Sequence, residues 1–188
     1  MIEGMLDIET MGNSTDVPVV AIGLVLYDPK KLITMTGEDV YDRFYCVIDL
    51  ESNSEFGLLP DPSTVSWWLQ QSEQARSIFS NTQYKVSLPE ALNSLTEFTS
   101  EHCGQGHKGD HLLRLWGNGV AFDNVHLRNA FNACNVPCPY AFWNDACYRT
   151  LKNLHPEVKL GRVGVHHNAL DDAETQMNHL LSILRSRK

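Results

Sequence analysis

The stretch Met5-Leu6-Asp7-Ile8-Glu9-Thr10 decides how this chain folds, because it places two acids inside an apolar segment. Residues 2–8 are rich in apolar side chains and are predicted to form a buried strand. Side chains alternate along a strand, so Asp7 and Glu9 project from the same face. Adjacent carboxylates repel each other, and burying them is costly unless positive charge lies between them. The pattern therefore favours a metal site over a polar strand edge.

The carboxylates of Asp7 and Glu9 are hard oxygen ligands, which suit Mg²⁺ or Mn²⁺. A pair of such ions about 4 Å apart can hold the attacking and leaving oxygens of a phosphoryl transfer. We therefore expect two Mg²⁺ or Mn²⁺ ions as cofactors. A histidine beside them would serve as general base for the attacking water, because its pKa lies near neutrality.

Two later segments carry further residues that such a site needs. Asn118-Gly119-Val120-Ala121-Phe122-Asp123 ends on an acid at the start of a predicted helix. His167-Asn168-Ala169-Leu170-Asp171-Asp172-Ala173 opens the last predicted helix and combines histidine with two acids. The alternative role for Asp123 is that of an acid that merely stabilises the helix N-terminus.

Together the three segments resemble the DEDDh 3′–5′ exonucleases, the DnaQ-like branch of the ribonuclease-H-like fold. The family motifs are an Asp-x-Glu strand, an Asn followed at a short distance by an aromatic residue and Asp, and a His followed five residues later by Asp. The matching positions here are Asp7 and Glu9, then Asn118, Phe122 and Asp123, then His167 and Asp172. The order and separations of the motifs are those of the family, and the resemblance spans nearly the whole chain.

The resemblance implies a fold and a chemistry. The fold would be α/β, with a mixed sheet whose first three strands are antiparallel and whose later strands are parallel, flanked by helices. The activity would be that of a metal-dependent 3′–5′ exonuclease that releases nucleoside 5′-monophosphates. Four acids would hold the two ions, and His167 would deprotonate the attacking water. The expected metal ligands are Asp7, Glu9, Asp123 and Asp172.

The segment from Ser63 to Arg76 narrows the resemblance to a phage and mycobacterial subgroup. That subgroup contains the exonuclease A of T-even phages and a bacterial exoribonuclease. Single-stranded DNA ends are therefore the first expected substrate, and RNA ends are the close alternative. The rival from another class is a non-catalytic binding module with an exonuclease fold. Such a module would show a broken motif, and all of the motif positions are intact.

The third motif is doubled, since His166 precedes His167 and Asp171 precedes Asp172. At about 100° per residue, both aspartates lie about equally far from the centre of the apolar helix face, so periodicity does not choose between them. The family pattern, in which Ala follows the acid, selects His167 and Asp172. His166 is then expected in a loop or against substrate, and Asp171 as a solvated surface acid.

Several residues near the motifs are expected to shape a nucleotide pocket. Trp67 and Trp68 point about 100° apart on a helix, so one can pack in the core while the other stacks on a base. The expected substrate-binding residues are Met11, Trp68, Asn118, Phe122 and His166. Cations that flank the later motifs are candidate phosphate contacts, with solvated charges as the alternative: Arg128, Arg149, Lys152, Lys159 and Arg162.

The bulk properties fit one domain over residues 1–188, because a chain of this length buries a sizeable core. The net charge of −8 argues against a protein that coats DNA tightly, although bound divalent ions would add positive charge where phosphate sits. No apolar run reaches the length of a membrane span, and the N-terminal residues 1–4 lack the basic start expected of a signal peptide. Five unpatterned cysteines fit reduced thiols in the cytoplasm. The expected partners are single-stranded DNA or RNA 3′ ends and the mononucleotide product, without a membrane, and a homodimer is left open.

Periodicity and turn signals predict the remaining elements. Strands are predicted over residues 2–8, 17–27, 41–50 and 112–116. Helices are predicted over residues 63–71, 73–79, 88–102, 122–134, 145–154 and 169–187. Residues 103–110 hold three glycines and are predicted to form a loop.

Overall fold

The computed structural model describes residues 1–34, 40–80, 84–103 and 113–186, and for residues 32–34, 40 and 41 it describes the backbone alone. The strands are β1 (Ile2–Thr10), β2 (Val19–Tyr27), β3 (Val40–Ile48), β4 (Lys85–Val86), β5 (Leu113–Gly117) and β6 (Asp145–Cys147). The helices are α1 (Pro29–Thr34), α2 (Leu50–Ser54), α3 (Pro62–Trp68), α4 (Glu73–Ser80), α5 (Leu88–Cys103), α6 (Asp123–Ala133), α7 (Tyr148–Leu154) and α8 (Ala169–Ser186).

The strands form one mixed sheet in the order β4-β3-β2-β1-β5-β6. β1, β2 and β3 pair as an antiparallel meander, and β5 and β6 then add in parallel on the other side of β1. This is the predicted topology, and the fold-class prediction is confirmed. β5 pairs with β1 only as far as Leu6, where Gly117 ends the strand. Asp7 and Glu9 therefore lie past the carboxyl end of β5, where open α/β sheets commonly bind ligands.

Both faces of the central strands are covered, which explains their nearly continuous apolar sequence. On one face, Leu6, Ile8, Ile22, Leu24 and Leu26 pack against α5 and α6. On the other face, Met5, Val25 and Tyr27 pack against α8. Asp7 and Glu9 have the same strand parity as Met5, so the alternation of β1 directs both carboxylates toward the α8 side.

Gly23 sets how closely α8 approaches the sheet. A Cβ on Gly23 would collide with the backbone of Ala169 and Leu170 at the start of α8. Gly23 is paired with Asp7 across the β1–β2 ladder. The first turn of α8 carries Asp172. It can lie directly over the cross-strand pair of Asp7 and Gly23 only because Gly23 has no side chain.

Most predicted elements are present, with boundaries shifted by up to three residues. The prediction for residues 145–154 was wrong in part, because the segment begins with the strand β6 before α7 starts at Tyr148. Three residues are too few to show a strand period. The short elements α1, α2 and β4 were not predicted, and residues 104–110 of the predicted glycine loop lie outside the described residues. In the described part of the chain, no helix is both long and apolar enough to cross a membrane.

Candidate active site

Four carboxylates from three parts of the fold line one cavity of about 360 Å³. Asp7 and Glu9 come from β1, Asp123 is the first residue of α6, and Asp172 lies in the first turn of α8. Asp7, Glu9 and Asp172 each offer an oxygen, and these oxygens lie within 4.8 Å of one another. Glu9, Asp123 and Asp172 are buried. The structure thus brings together all four acids that the sequence analysis singled out.

Burial raises the pKa of Asp7, Glu9 and Asp123, and repulsion by neighbouring acids adds to the shift at Asp7 and Glu9. The pKa of Asp7 lies well above its usual range, first because of burial and then because of the charges of Asp123, Glu9 and Asp172. Burial, followed by Asp172 and Asp123, raises the pKa of Glu9 to about 8. Burial also raises the pKa of Asp123 to about 7, while Arg149 acts in the opposite direction. Positive charge among these acids would offset their mutual repulsion and favour their ionised forms.

The donor set fits divalent cations. Asp123 Oδ2 is buried and has no hydrogen-bond partner among the described residues. A buried carboxylate oxygen normally has a partner, and one that lacks it points to a missing cation or water. All the converging atoms are carboxylate oxygens, which are the ligands preferred by hard divalent ions. The site therefore fits the divalent ions that the resemblance to DEDDh exonucleases implies.

Gln176 orients Asp7, and sequence reasoning missed it. Its Nε2 donates to Asp7 Oδ1 at 2.6 Å, and its own Oε1 is buried without a partner in the described part of the chain. Gln176 lies four residues after Asp172 on α8 and so faces the same cavity. That spacing was the one available signal, but a contact 169 residues along the chain cannot be read from sequence.

Asp172 is held from two directions. Its Oδ2 accepts from the backbone N–H of His167 at 2.9 Å, and its Oδ1 forms an ion pair with Arg162. Arg162 was expected to be a candidate phosphate contact. The structure gives its guanidinium a carboxylate partner instead, at the rim of the same cavity.

Asp171 is partly exposed, close to the solvated position expected from sequence, and it also has a structural task. Its Oδ2 accepts from the backbone N–H of Val165 at 2.7 Å. Gly164 lies against this carboxylate. Its φ of 64° is a backbone conformation that residues with a side chain rarely adopt. Asp171 therefore fastens the loop before α8, while Asp172 faces Asp7 and Glu9.

The two histidines lie side by side at the mouth of the cavity. Their rings stack with centroids 3.8 Å apart, and both residues line the cavity with Asp172. His167 has a φ of 64°, a strained value for this residue. Its pKa is lowered, first by burial and then by the charge of His166, so the imidazole is neutral near pH 7. A neutral imidazole can accept a proton.

The two tryptophans divide between core and pocket, but not as expected. Trp68 is 3% exposed, packs with Met11, and donates its indole N–H to the Thr10 carbonyl at 3.0 Å. Trp67 is 41% exposed, and its ring lies edge-on to His167 at 4.9 Å. Because Trp68 and Met11 are packed in a core cluster, the structure does not place them in the pocket. It presents Trp67 there instead.

Trp67 and Phe122 border a second cavity of about 420 Å³, which shares Ile8, Glu9 and Phe122 with the first. Asn118 lies in the first cavity, as expected. Of the candidate cations, Arg149 and Lys152 line the first cavity, while Arg128 pairs with Asp145. Lys159 lines neither cavity and donates to the Pro156 carbonyl at 3.3 Å.

Comparisons with known proteins agree with this arrangement. The sequence model of the family described as "3'-5' exoribonuclease Rv2179c-like domain" matches residues 3–184. The exodeoxyribonuclease of Enterobacteria phage T4 is 25% identical over 164 residues, covering 80% of this chain and 70% of the phage protein.

Solved structures share the fold. The nuclease domain of 3'hExo, a DEDDh family member bound to rAMP, matches with a TM-score of 0.60 at 13% identity, covering 98% of this chain and 92% of that one. E. coli exonuclease I in complex with a dT13 oligonucleotide matches with a TM-score of 0.57 at 17% identity, covering 99% of this chain and 42% of that one. Since the family model covers nearly the whole sequence, this chain belongs to the family described as "3'-5' exoribonuclease Rv2179c-like domain".

Proposed function

We propose that this protein is a 3′–5′ exonuclease that uses two Mg²⁺ or Mn²⁺ ions to release nucleoside 5′-monophosphates from single-stranded DNA ends. The observation that carries the proposal is the convergence of Asp7, Glu9 and Asp172 within 4.8 Å, in the cavity that also holds Asp123 and His167. Repelling carboxylates in a cavity are a costly arrangement that divalent ions relieve.

Asp7, Glu9, Asp123 and Asp172 would hold the ions, which when bound stabilise the attacking and leaving oxygens of the phosphodiester. His167 takes the proton of the attacking water, because its lowered pKa keeps the imidazole neutral. Gln176 keeps Asp7 in position through its hydrogen bond. The proton acceptor and the ligand acid Asp172 are tied together by the His167 backbone N–H.

The terminal nucleoside enters the second cavity, between Trp67 and Phe122. Both aromatic side chains line this cavity, and stacking of a base on an aromatic ring is tolerant of base identity. Glu9 borders both cavities and so lies where the terminal sugar meets the scissile phosphate. His166 is exposed at the entrance and contacts the incoming strand.

RNA is the second candidate substrate, and a specific observation favours it. The family that matches residues 3–184 is described as a 3'-5' exoribonuclease, whereas the phage relative is described as an exodeoxyribonuclease. A DNA preference would require the pocket to discriminate against the 2′-hydroxyl, which is donor and acceptor at once.

The protein also fits a cytoplasmic enzyme acting as one exonuclease domain over residues 1–188. All five cysteines are free thiols, as in a reducing compartment. One core cluster joins Met5 of β1, near one end of the chain, to α8 near the other.

The deciding experiment uses the purified protein with Mg²⁺ or Mn²⁺ on DNA and RNA strands of identical sequence. With a 3′ label, a labelled mononucleotide should be the first product; with a 5′ label, a shrinking ladder should form. A 3′-phosphate should block degradation, and a blocked 5′ end should not. Digestion of circular single strands would reveal an endonuclease, and binding without cleavage in either metal would reveal a non-catalytic module.

A further inference from the structure

A pair of cations on α7 forms part of the wall of the active-site cavity. Arg149 and Lys152 both belong to α7, and both line the cavity. One residue holds the two of them: Arg149 Nη2 donates to the Asn118 carbonyl at 2.5 Å, and Lys152 Nζ donates to Asn118 Oδ1 at 3.2 Å. Lys152 Nζ also lies 5.3 Å from the centre of the Tyr148 ring. Hydrogen bonds and a ring contact thus fix both cations in place.

The protein balances the charges of this pair only in part, through the attraction between Arg149 and Asp123 that lowers the pKa of Asp123. In the described ranges, neither Arg149 nor Lys152 forms an ion pair with a carboxylate, whereas Arg162 in the same cavity pairs with Asp172. The pKa of Lys152 is lowered, first by burial and then by the charge of Arg149, so the two cations repel each other. An anion between them would relieve that repulsion.

The backbone is shaped to receive the guanidinium. Gly119 has a φ of 113°, and a Cβ there would lie 3.0 Å from Arg149 Cζ. A side chain at this position would therefore push Arg149 away from Asn118. Arginine donors in a fixed fork match the geometry of a phosphate, and lysine adds a point charge.

The cavity therefore contains two separate places for negative groups. Divalent ions at the four carboxylates would bind one phosphate, and Arg149 with Lys152 would bind another without touching those acids. The aromatic cavity lies on the Trp67 side of Glu9, and the cations lie on the Asn118 side. A strand whose terminal nucleoside fills the aromatic cavity would place its scissile phosphate at the acids and its next phosphate toward α7.

We infer that Arg149 and Lys152 bind the second phosphate from the 3′ end, and so make the enzyme prefer strands with at least two phosphodiesters. The inference rests on the proposed function. The inference predicts that the enzyme prefers longer strands, and it does not change the roles proposed for the four acids and His167. The competing role is structural, in which the two cations only fasten the Asn118 loop.

The test compares a substrate with one phosphate and a substrate with two. Thymidine 5′-(p-nitrophenyl phosphate) carries only the scissile phosphate, whereas trithymidylate carries the second phosphate as well. The measured quantity is the ratio of kcat/KM for trithymidylate to kcat/KM for the nitrophenyl ester. In Arg149→Gln and in Lys152→Gln this ratio should fall about tenfold, the equivalent of one charge-assisted hydrogen bond.

Salt dependence supplies a second readout that a structural role would not change. The slope of log kcat/KM for trithymidylate against log salt should decrease in magnitude by about 0.7 for each phosphate contact removed. Arg149→Lys keeps a positive charge and should retain most of the ratio and the slope. Lys159→Gln removes a cation outside the cavity and is the matched control.

The outcomes separate the inference from the proposed function. If the wild type is active and the ratio is unchanged in both Gln variants, the inference alone is overturned. An equal fall of kcat/KM on both substrates overturns it as well, because the cations would then bind the scissile phosphate. A lower melting temperature with an unchanged ratio identifies a structural clamp. A wild type that cleaves neither substrate with Mg²⁺ or Mn²⁺ overturns the proposed function and the inference with it.

Discussion

The carboxylates at the two ends of β1 have opposite surroundings. Near its start, Glu3 accepts from the Tyr27 hydroxyl at 3.2 Å, from Arg114 at 2.9 Å and from the Trp116 indole at 2.8 Å. Near its end, Asp7 and Glu9 lie among further acids, and Asp7 has one neutral amide as a donor. Glu3 lies on the same face of β1 as Asp7 and Glu9, so the strand face does not explain the difference.

The contrast distinguishes a structural acid from a functional one within a single strand. At Glu3, neighbouring strands supply a cation and two donors, and the fold satisfies the charge. At Asp7 and Glu9, the neighbouring elements add Asp123 and Asp172 and make the repulsion worse. Under the proposed function, divalent cations complete this end of β1, and the folded chain is less stable until they bind.

The largest expected effect comes from Asp7→Asn, with Glu3→Gln as the matched substitution. Asp7→Asn should lower cleavage by about 10³-fold or more, because it removes a charged ligand from the ion site. It should also raise the melting temperature of the metal-free protein, since repulsion is relieved. The measurements are initial rates with Mg²⁺ and thermal unfolding in EDTA.

Glu3→Gln should do the reverse. The new amide N–H₂ faces the donors of Tyr27 and Trp116, so unfolding should become easier by about 1–3 kcal/mol. Turnover per folded molecule should stay near that of the wild type. A stable Glu3→Gln variant, or an Asp7→Asn variant with normal turnover, would erase the distinction between the two ends.

His167→Ala should lower the rate by about 10²-fold through loss of the proton acceptor, whereas His166→Ala should cost much less. Metal binding, followed by calorimetry, should survive in both variants because the carboxylates remain. If His166→Ala is the crippled variant, the general base has been assigned to the wrong ring.

The pH dependence of stability should reveal the unsatisfied end directly. The pKa values of Asp7, Glu9 and Asp123 are raised in the folded chain, so folding favours their protonated forms. This contribution is complete below the unfolded pKa values near 4 and is lost as pH rises through about 7 to 8. The melting temperature in EDTA should therefore fall by several degrees across this range.

Mg²⁺ should restore much of that loss at pH 8, and Asp7→Asn should show a flatter profile than the wild type. Equal pH profiles with EDTA and with saturating Mg²⁺ would show that the acids are not coupled to ion binding.

The smallest effect is expected from Arg162→Gln. Arg162 competes with an incoming ion for Asp172 Oδ1, so its removal should tighten Mg²⁺ binding a few-fold by calorimetry. The metal-free protein should be slightly less stable. Weaker Mg²⁺ binding in this variant would mean that Arg162 helps to shape the ion site and does not compete for it.

Strand alternation predicted the shared face of Asp7 and Glu9, and the family resemblance carried by the three motifs predicted the sheet topology and the four acids that converge. Strand alternation worked because the side-chain period of β1 fixes the face on which Asp7 and Glu9 lie. The same reasoning could not separate Trp67 from Trp68, since adjacent helical residues both lie near the boundary of the apolar face. The indole bond of Trp68 to Thr10 joins residues 58 apart, and only the folded chain reveals it.

The contacts that adjust the acids were also beyond sequence reasoning. Gln176 meets Asp7 only because α8 crosses β1, and Arg162 reaches Asp172 from a loop without periodicity. The role of Asp171 depends on the left-handed turn at Gly164, which a helical wheel cannot represent.

Gly23 gives the site a weakness that no list of functional groups would include. It bears no side chain and donates nothing to catalysis, yet α8 can lie over Asp7 only because an atom is missing there. A single methyl group on β2 would separate the first and third motifs while leaving every reactive group intact. The distance between the acids of β1 and Asp172 of α8 is set by the absence of a side chain at Gly23 in the neighbouring strand. Activity can therefore be lost through geometry alone, in a protein whose sequence still carries every motif.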